Sequence, residues 1–379
     1  MWSPNYLPIG QALHIALLFS SLLPALSFQT LPIQLATRPN QLLYSRTALQ
    51  QSTQSDQQWK PSIQNLSDRK AHFATQSHPP DNLNTQSFHH IEFYAGDAST
   101  FAKRLELALG IPITCWSSLS TGNDQCTTYG LECGSVRFMV TAPLSRRKAV
   151  ENSAASSGNA GSKVQMTAPD PLPGYDAEFA RVFYSKHGLA VRAVGVVVKN
   201  VTKAYTDAVT NGAVSILEPT MVHSYCGGEA CELAEIQLYG DVVLRLVDFG
   251  GQKVDDASTP FLPHLAPYPS RKNKPTYGLT RIDHTVGNVP NLIATQTYIQ
   301  KLSNYHPFAE FTPEDIGTVD SGLNSVVLTS ENEKVLLPLN EPTEGKRKAR
   351  SKHFWSRMKD RAYSILLSRQ IIFLTLLQK

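Results

Sequence analysis

The chain predicts an α+β fold built from tandem βαβββ-type modules, the first complete and the second incomplete, and three observations carry that reading. A strand-like run, Phe88-His89-His90-Ile91-Glu92-Phe93-Tyr94, precedes a segment with apolar residues at helical spacing. An alternating strand then follows at Val136, Phe138 and Val140. The same plan restarts at Arg281-Ile282-Asp283-His284-Thr285-Val286-Gly287-Asn288-Val289-Pro290, where His284 opens a strand as His90 did. By the first copy's measure the second should run about 150 residues past His284, and the pattern dissolves after roughly 60.

Taken in order, residues 1–87 read as a disordered or targeting segment, rich in Gln and Ser and weakly periodic. No acidic residue precedes Asp56, and residues 12–28 form an apolar stretch broken by His14, serines and a proline. That composition suits a plastid-targeting segment, with a cytoplasmic location as the alternative. Residues 88–250 form the first module. Its helix carries Phe101, Leu105 and Leu109 and stops at Gly110 and Pro112. Residues 151–174 read as a Ser/Gly/Pro-rich loop. A strand at 194–198 and a helix through Ala204, Tyr205 and Ala208, ended by Asn211-Gly212, come next. The module closes with Glu235-Ile236-Gln237-Leu238-Tyr239 and the alternating Val242, Leu244 and Leu246.

Residues 275–345 form the partial second module, with a helix carrying Leu292, Tyr298, Ile299 and Leu302 and a strand at 322–328. Residues 346–379 read as a divergent basic tail. The net charge of +4 is therefore local, crowded into Lys346, Arg347, Lys348, Arg350, Lys352, Arg357, Lys359, Arg361 and Arg369. Such a run reads as a solvated end rather than a nucleic-acid surface. No stretch has the length of a transmembrane span, the apolar run at 370–377 included. Five cysteines, Cys115, Cys126, Cys133, Cys226 and Cys231, form no CxxC pair. That argues against a disulfide scaffold or zinc ribbon and fits a reducing compartment, with Cys226 and Cys231 as surface thiols near a turn.

Several long words, FHHIEFYAGDAS, LSTGN, ELAEIQLYGDVVLRLV, YGLTRIDHTVGNVP, FAEFTPEDIGTVDSGLNSVVL and VLLPLNEP, resemble the plant-type 4-hydroxyphenylpyruvate dioxygenases. These are oxidoreductases of tyrosine and phenylalanine catabolism in the vicinal oxygen chelate superfamily. The resemblance covers residues 88–348, and the end beyond Lys348 is read as foreign to the family, as a splice variant or gene-model product would be.

The resemblance implies Fe(II) held by two histidines and a glutamate on strands of the second module. It also implies 4-hydroxyphenylpyruvate and O₂ as substrates and homogentisate, a precursor of plastoquinone and tocopherol, as product. Three protein donors on one face leave the remaining positions of such a centre open to a chelating keto acid and O₂. By resemblance His284 is the first metal histidine, and Ser325 and Asn340 line the substrate pocket. Val286 adds apolar wall on the His284 side, while Thr285, a departure from the family's valine, faces away.

The family's second histidine strand, its glutamate strand and its Gly-Phe-Gly segment have no counterpart in the chain. In the first module the second-histidine position falls on Ala193, so His90 and Glu235 read as a structural remnant. His89 is expected to face away from His90, and His187, His223, His264 and His306 are expected in loops. The chain is therefore expected to be inactive alone. The alternative is a non-catalytic interaction protein derived from that enzyme, forming a homo-oligomer or pairing with a full-length relative.

Overall fold

A computed structural model describes residues 14–17, 58–76, 79–144, 171–224, 230–251, 261–269, 276–316, 322–343 and 371–376. Most of the expected targeting segment, most of the 151–174 loop, Cys226 and the basic run from Lys346 to Arg369 lie outside the described residues.

The described chain enters through a strand β1 (His14–Leu17) and a helix α1 (Leu66–Thr75). It then builds β2 (Thr85–Tyr94), α2 (Ala98–Leu109), β3 (Ile113–Ser117), β4 (Cys126–Cys133) and β5 (Val136–Pro143). After α3 (Ala177–His187) the pattern repeats as β6 (Ala190–Val198), α4 (Val201–Thr210), β7 (Ser215–His223), β8 (Ala230–Tyr239) and β9 (Val242–Asp248). The two-residue β10 (Ala266–Pro267) leads to a third repeat. That repeat is β11 (Leu279–Asn288), α5 (Leu292–Ser303), β12 (His306–Phe311), α6 (Pro313–Ile316), β13 (Gly322–Thr329) and β14 (Leu336–Thr343). A last strand, β15 (Ile371–Leu376), follows.

The repeating unit is thus smaller than the sequence plan indicated. The expected first module holds two βαβββ units, and residues 279–343 hold a third. In each unit the first strand lies parallel to the last: β2 to β5, β6 to β9 and β11 to β14. The first two units join through the antiparallel pair β2–β6 in a nine-stranded sheet, ordered β10-β3-β4-β5-β2-β6-β9-β8-β7. The third unit sits in a six-stranded sheet, ordered β1-β15-β11-β14-β13-β12.

Here the structure corrects the reading of the tail. The apolar run at its end is a strand, β15, antiparallel to β11 with His284 opposite residue 373. It stands beside β11 as β6 stands beside β2, and β1 pairs with it in turn. A β-rich run beside an unpaired strand satisfies that strand's open backbone groups, which explains the pairing.

Local chemistry sets the helices. The Asp97 carboxylate caps α2 by accepting from the Thr100 amide, and Gly110 ends the helix at φ 63°. A Cβ there would stand 2.8 Å from the backbone nitrogen of Tyr277, so only glycine fits. Ala102, Leu105 and Leu109 point inward against Phe93, Ile113 and Phe138. In α5, Leu292, Ile299 and Leu302 join one core with Val326, Leu328, Leu337 and Leu339 of the third unit.

The second sheet is fastened to the first across a specific seam. Tyr298 Oη donates to the Gln237 carbonyl at 2.9 Å and accepts from the Val214 amide at 3.2 Å. The Ser135 amide donates to the Thr280 carbonyl at 2.7 Å. Gly287 faces Tyr239 so closely that a Cβ would stand 2.6 Å from its ring.

Packed structure also begins before Phe88. Trp59 and Leu83 are buried, and α1 lies on β12 although its sequence carries no apolar stripe. Polar anchors hold this segment instead. Buried Arg69 pairs with Asp315 and donates to the carbonyls of Ile63 and Gln64, and Ser62 donates to the Glu310 carboxylate at 2.6 and 2.8 Å. The described residues 58–76 and 79–87 therefore belong with the folded units rather than with a disordered leader.

Candidate functional site

Three strands of the third unit position the residues the sequence singles out. Ser325 on β13 lies directly opposite Asn340 on β14, so their side chains share one face of the sheet. Asn340 is also in register with Asn288 of β11, and His284 lies four residues back along that strand. At a strand's rise this is about 13 Å, on the same face by period two. Ser325 and Val286 are both buried. The strands thus bring Ser325 and Asn340 together and set His284 apart at the other end of the face.

Next to His284 is an acid. The His284 Nδ1 lies 2.8 Å from Asp283 Oδ2, and the other oxygen of Asp283 accepts from Arg281 at 2.8 Å. An irregularity between Ile282 and His284 in the pairing with β15 brings these neighbours together. An ionised Asp283 accepts the Nδ1 proton, which places the imidazole lone pair on Nε2. A carboxylate behind the ring orients metal-binding histidines in this way.

The rest of the donor set does not follow. Sharing the His284 face are Val286, Leu336, Asn340 and Ser325. Among the described residues no group of three His, Cys, Asp or Glu side chains is placed to hold a metal. The described residues therefore do not fit the Fe(II) centre that the resemblance implies, which needs three protein donors.

Thr285, on the opposite face, is fully buried, and its hydroxyl has no hydrogen-bond partner among the described residues. A buried hydroxyl without a partner costs free energy. Thr285→Val is accordingly expected to raise the unfolding free energy by about 1–2 kcal/mol in urea titrations.

The corresponding cup of the first two units is occupied by an arginine. Arg245 on β9 is fully buried, and three acceptors from β2 and β8 converge on it. Its Nε donates to Glu235 Oε1 at 2.7 Å, one Nη to Glu92 Oε2 at 2.7 Å, and the other Nη to His90 Nε2 at 2.9 Å. Burial opposes the charge on Arg245, but Glu92 and Glu235 outweigh it and raise its pKa further. Thr141 donates to the remaining Glu92 oxygen at 2.6 Å.

These contacts fix the histidine tautomers. His90 accepts from Arg245 at Nε2, so its Nδ1 carries the proton and donates to His89 Nδ1, 2.6 Å away. His89 then carries its proton on Nε2, which is buried without a partner. Burial above all holds the pKa values of both histidines far below the usual value; Arg137 and Arg245 add to it for His89, and His89 and then Arg245 for His90.

Several expectations are corrected here. His89 does not face away from His90; a register shift between Phe88 and His90 brings the two rings together. His187 belongs to α3 and its Nε2 donates to the Asp241 carboxylate at 2.7 Å, and His306 and His223 are the end residues of β12 and β7. Cys231 is a buried thiol on β8 rather than a surface one, and burial lifts its pKa to about 12. Ala193 is buried opposite Glu92, as a position with no donor. Sequence reading missed Arg245 altogether, although a charge in the middle of the apolar run Val242-Val243-Leu244-Arg245-Leu246-Val247 was the available signal.

No protein-family model matches the chain. It is 40% identical over 279 residues to the 4-hydroxyphenylpyruvate dioxygenase of Arabidopsis thaliana, covering 73% of this chain and 59% of that protein. It is 41% identical over 265 residues to the barley (Hordeum vulgare) protein of the same name, covering 70% and 55%. Against the Neurospora crassa protein of that name the identity is 29% over 290 residues, covering 74% of this chain and 65% of the relative. The chain spans less than two thirds of the length of these relatives. Among solved structures it is similar to a triple mutant of 4-hydroxymandelate synthase from Streptomyces coelicolor. The TM-score is 0.51 at 16% identity, over 68% of this chain and 63% of that one, a likeness of fold alone.

Repeated βαβββ units, each with its first strand parallel to its last, define a vicinal-oxygen-chelate fold. Over some 70% of its length the chain is similar to plant proteins named 4-hydroxyphenylpyruvate dioxygenase.

Proposed function

We propose that the chain carries the scaffold for 4-hydroxyphenylpyruvate chemistry of the dioxygenase type, but that these 379 residues do not catalyse it by themselves. One observation carries the second half of this reading. Among the described residues, His284 and the adjacent Asp283 join no third His, Cys, Asp or Glu in a group placed to hold a metal. Iron donors from outside this set, in the same or another polypeptide, would be needed to complete a centre.

In this reading His284, oriented by Asp283, offers one donor, while Ser325 and Asn340 offer polar contacts at the far end of the face. A bound ferrous ion would supply the oxygen chemistry; the chain's own share is to present the substrate and exclude water. The test is direct. The 379-residue chain, incubated with Fe(II), ascorbate, O₂ and 4-hydroxyphenylpyruvate, is expected to give no homogentisate above a protein-free control by chromatography. Turnover abolished by His284→Ala would overturn the proposal.

A further inference from the structure

The nine-stranded sheet shows how two βαβββ units join in this chain. Their first strands, β2 and β6, lie side by side and antiparallel, and the units extend outward as β3-β4-β5-β2 and β6-β9-β8-β7. Ile91 and Val194 stand directly opposite each other in that pair. They are equivalent positions, Ile91 beside Phe138 of its own unit and Val194 beside Leu244. The join therefore has a local two-fold axis at one residue pair.

The third unit repeats one half of this arrangement, in the order β12-β13-β14-β11. The register of His284 with Leu336 and of Gly287 with Leu339 puts Thr285 beside Leu337. Leu337 faces Leu328 as Phe138 faces Leu131 and Leu244 faces Ile236, so Thr285 holds the place of Ile91 and Val194. Where the first two units have each other, β11 has the single strand β15. Thr285 is fully buried there, and its hydroxyl has no partner among the described residues. The residue opposite it on β15 is Ile372, a type without a side-chain donor or acceptor. A threonine directly across an antiparallel pair is a natural partner for such a hydroxyl.

We propose that the β11 edge is a self-association surface whose occupant is β11 of a second copy of this chain, and that β15 guards it from within. About a two-fold axis at Thr285, the two β11 strands pair antiparallel and the two threonine hydroxyls meet. The contact is isologous, and the joined sheet takes four strands from each copy in the order that β3-β4-β5-β2-β6-β9-β8-β7 displays. There is room for it, since β15 and then β1 already carry the sheet past β11. Until it is displaced, β15 satisfies an edge that would otherwise be open to any extended chain. The proposal is independent of the reading of His284 and iron.

The experiment uses the full chain with Ile372→Pro and Phe373→Pro to release β15. Neighbouring residues of a strand point their N–H groups to opposite sides, so one of the two prolines removes a donor toward β11. Thr285→Cys in this background is expected to form an interchain disulfide under mild oxidation about tenfold faster than Val286→Cys, read by non-reducing electrophoresis. The axis puts residue 285 opposite itself but residue 286 opposite residue 284 of the other copy, beyond disulfide reach of its own counterpart. Thr285→Cys should also crosslink about tenfold more slowly when β15 is unsubstituted. Equal rates at 285 and 286, or a rate at 285 unchanged by the prolines, would overturn the proposal. If the double-proline chain precipitates, the comparison of 285 with 286 is made with β15 unsubstituted at high protein concentration. A preference for 285 then supports the proposal, and parity overturns it.

Discussion

Arg245→Met is expected to lower the unfolding free energy by about 3–5 kcal/mol, because it leaves two buried carboxylates without their counter-cation. Arg245 contacts Glu92, Glu235 and His90 at once, and no water reaches the cluster to replace it. The loss should be non-additive. Arg245→Met combined with Glu92→Leu and Glu235→Leu removes the stranded charges together, and most of the stability is expected to return. Urea titrations of the single and triple variants measure this. A single variant within 1 kcal/mol or so of the parent would mean that the cluster is solvated in the folded chain.

Acid should weaken the chain well before its carboxylates titrate. His89, His90 and His264 are buried, with folded-state pKa values lowered far below the ordinary value, that of His264 to about 3. Burial is the main cause for each, and Arg245 adds to it for all three; Arg137 also bears on His89 and His90, and His264 on His90. The unfolded chain takes up protons near pH 6.5 while the folded chain does not. Stability is therefore full above that range and falls as pH drops through it.

Each histidine contributes about 1.4 kcal/mol of loss between pH 7.5 and 5.5, so about 4 kcal/mol together. His264→Leu, which removes one buried imidazole whose Nδ1 has no partner among the described residues, should reduce the loss by about a third. Equilibrium unfolding across that pH range is the check. A flat profile would show that these histidines are not held neutral.

The sequence made the repeat visible because its signals are periodic. The alternation around Val136, the helix stop at Gly110, and the matching histidines His90 and His284 all map onto β5, α2, β2 and β11. What it hid was held by non-periodic contacts. In α1, Arg69 ties the helix to Asp315, some 246 residues away, and its polar sequence carries no stripe to read. In β7 the apolar pattern is broken by Pro219 and exposed Met221, so alternation gave no strand.

The candidate site shows the same division. Ser325 facing Asn340 follows from hairpin register, which alternation encodes. The contact between His89 and His90 depends on a bulge, and strict period two predicts the reverse. Arg245 lay in plain view among apolar neighbours, but its meaning emerges only when β2, β8 and β9 lie side by side. A single buried charge in a strand marks an internal partner before it marks a surface.

Iron stoichiometry decides whether the described residues hold a ferrous ion. After anaerobic reconstitution with Fe(II) and desalting, the 379-residue chain and its His284→Ala variant are expected to retain equally little iron, far below one atom per chain. One tightly held iron per chain, lost in His284→Ala, would contradict the claim that the described residues supply no three-donor ferrous site.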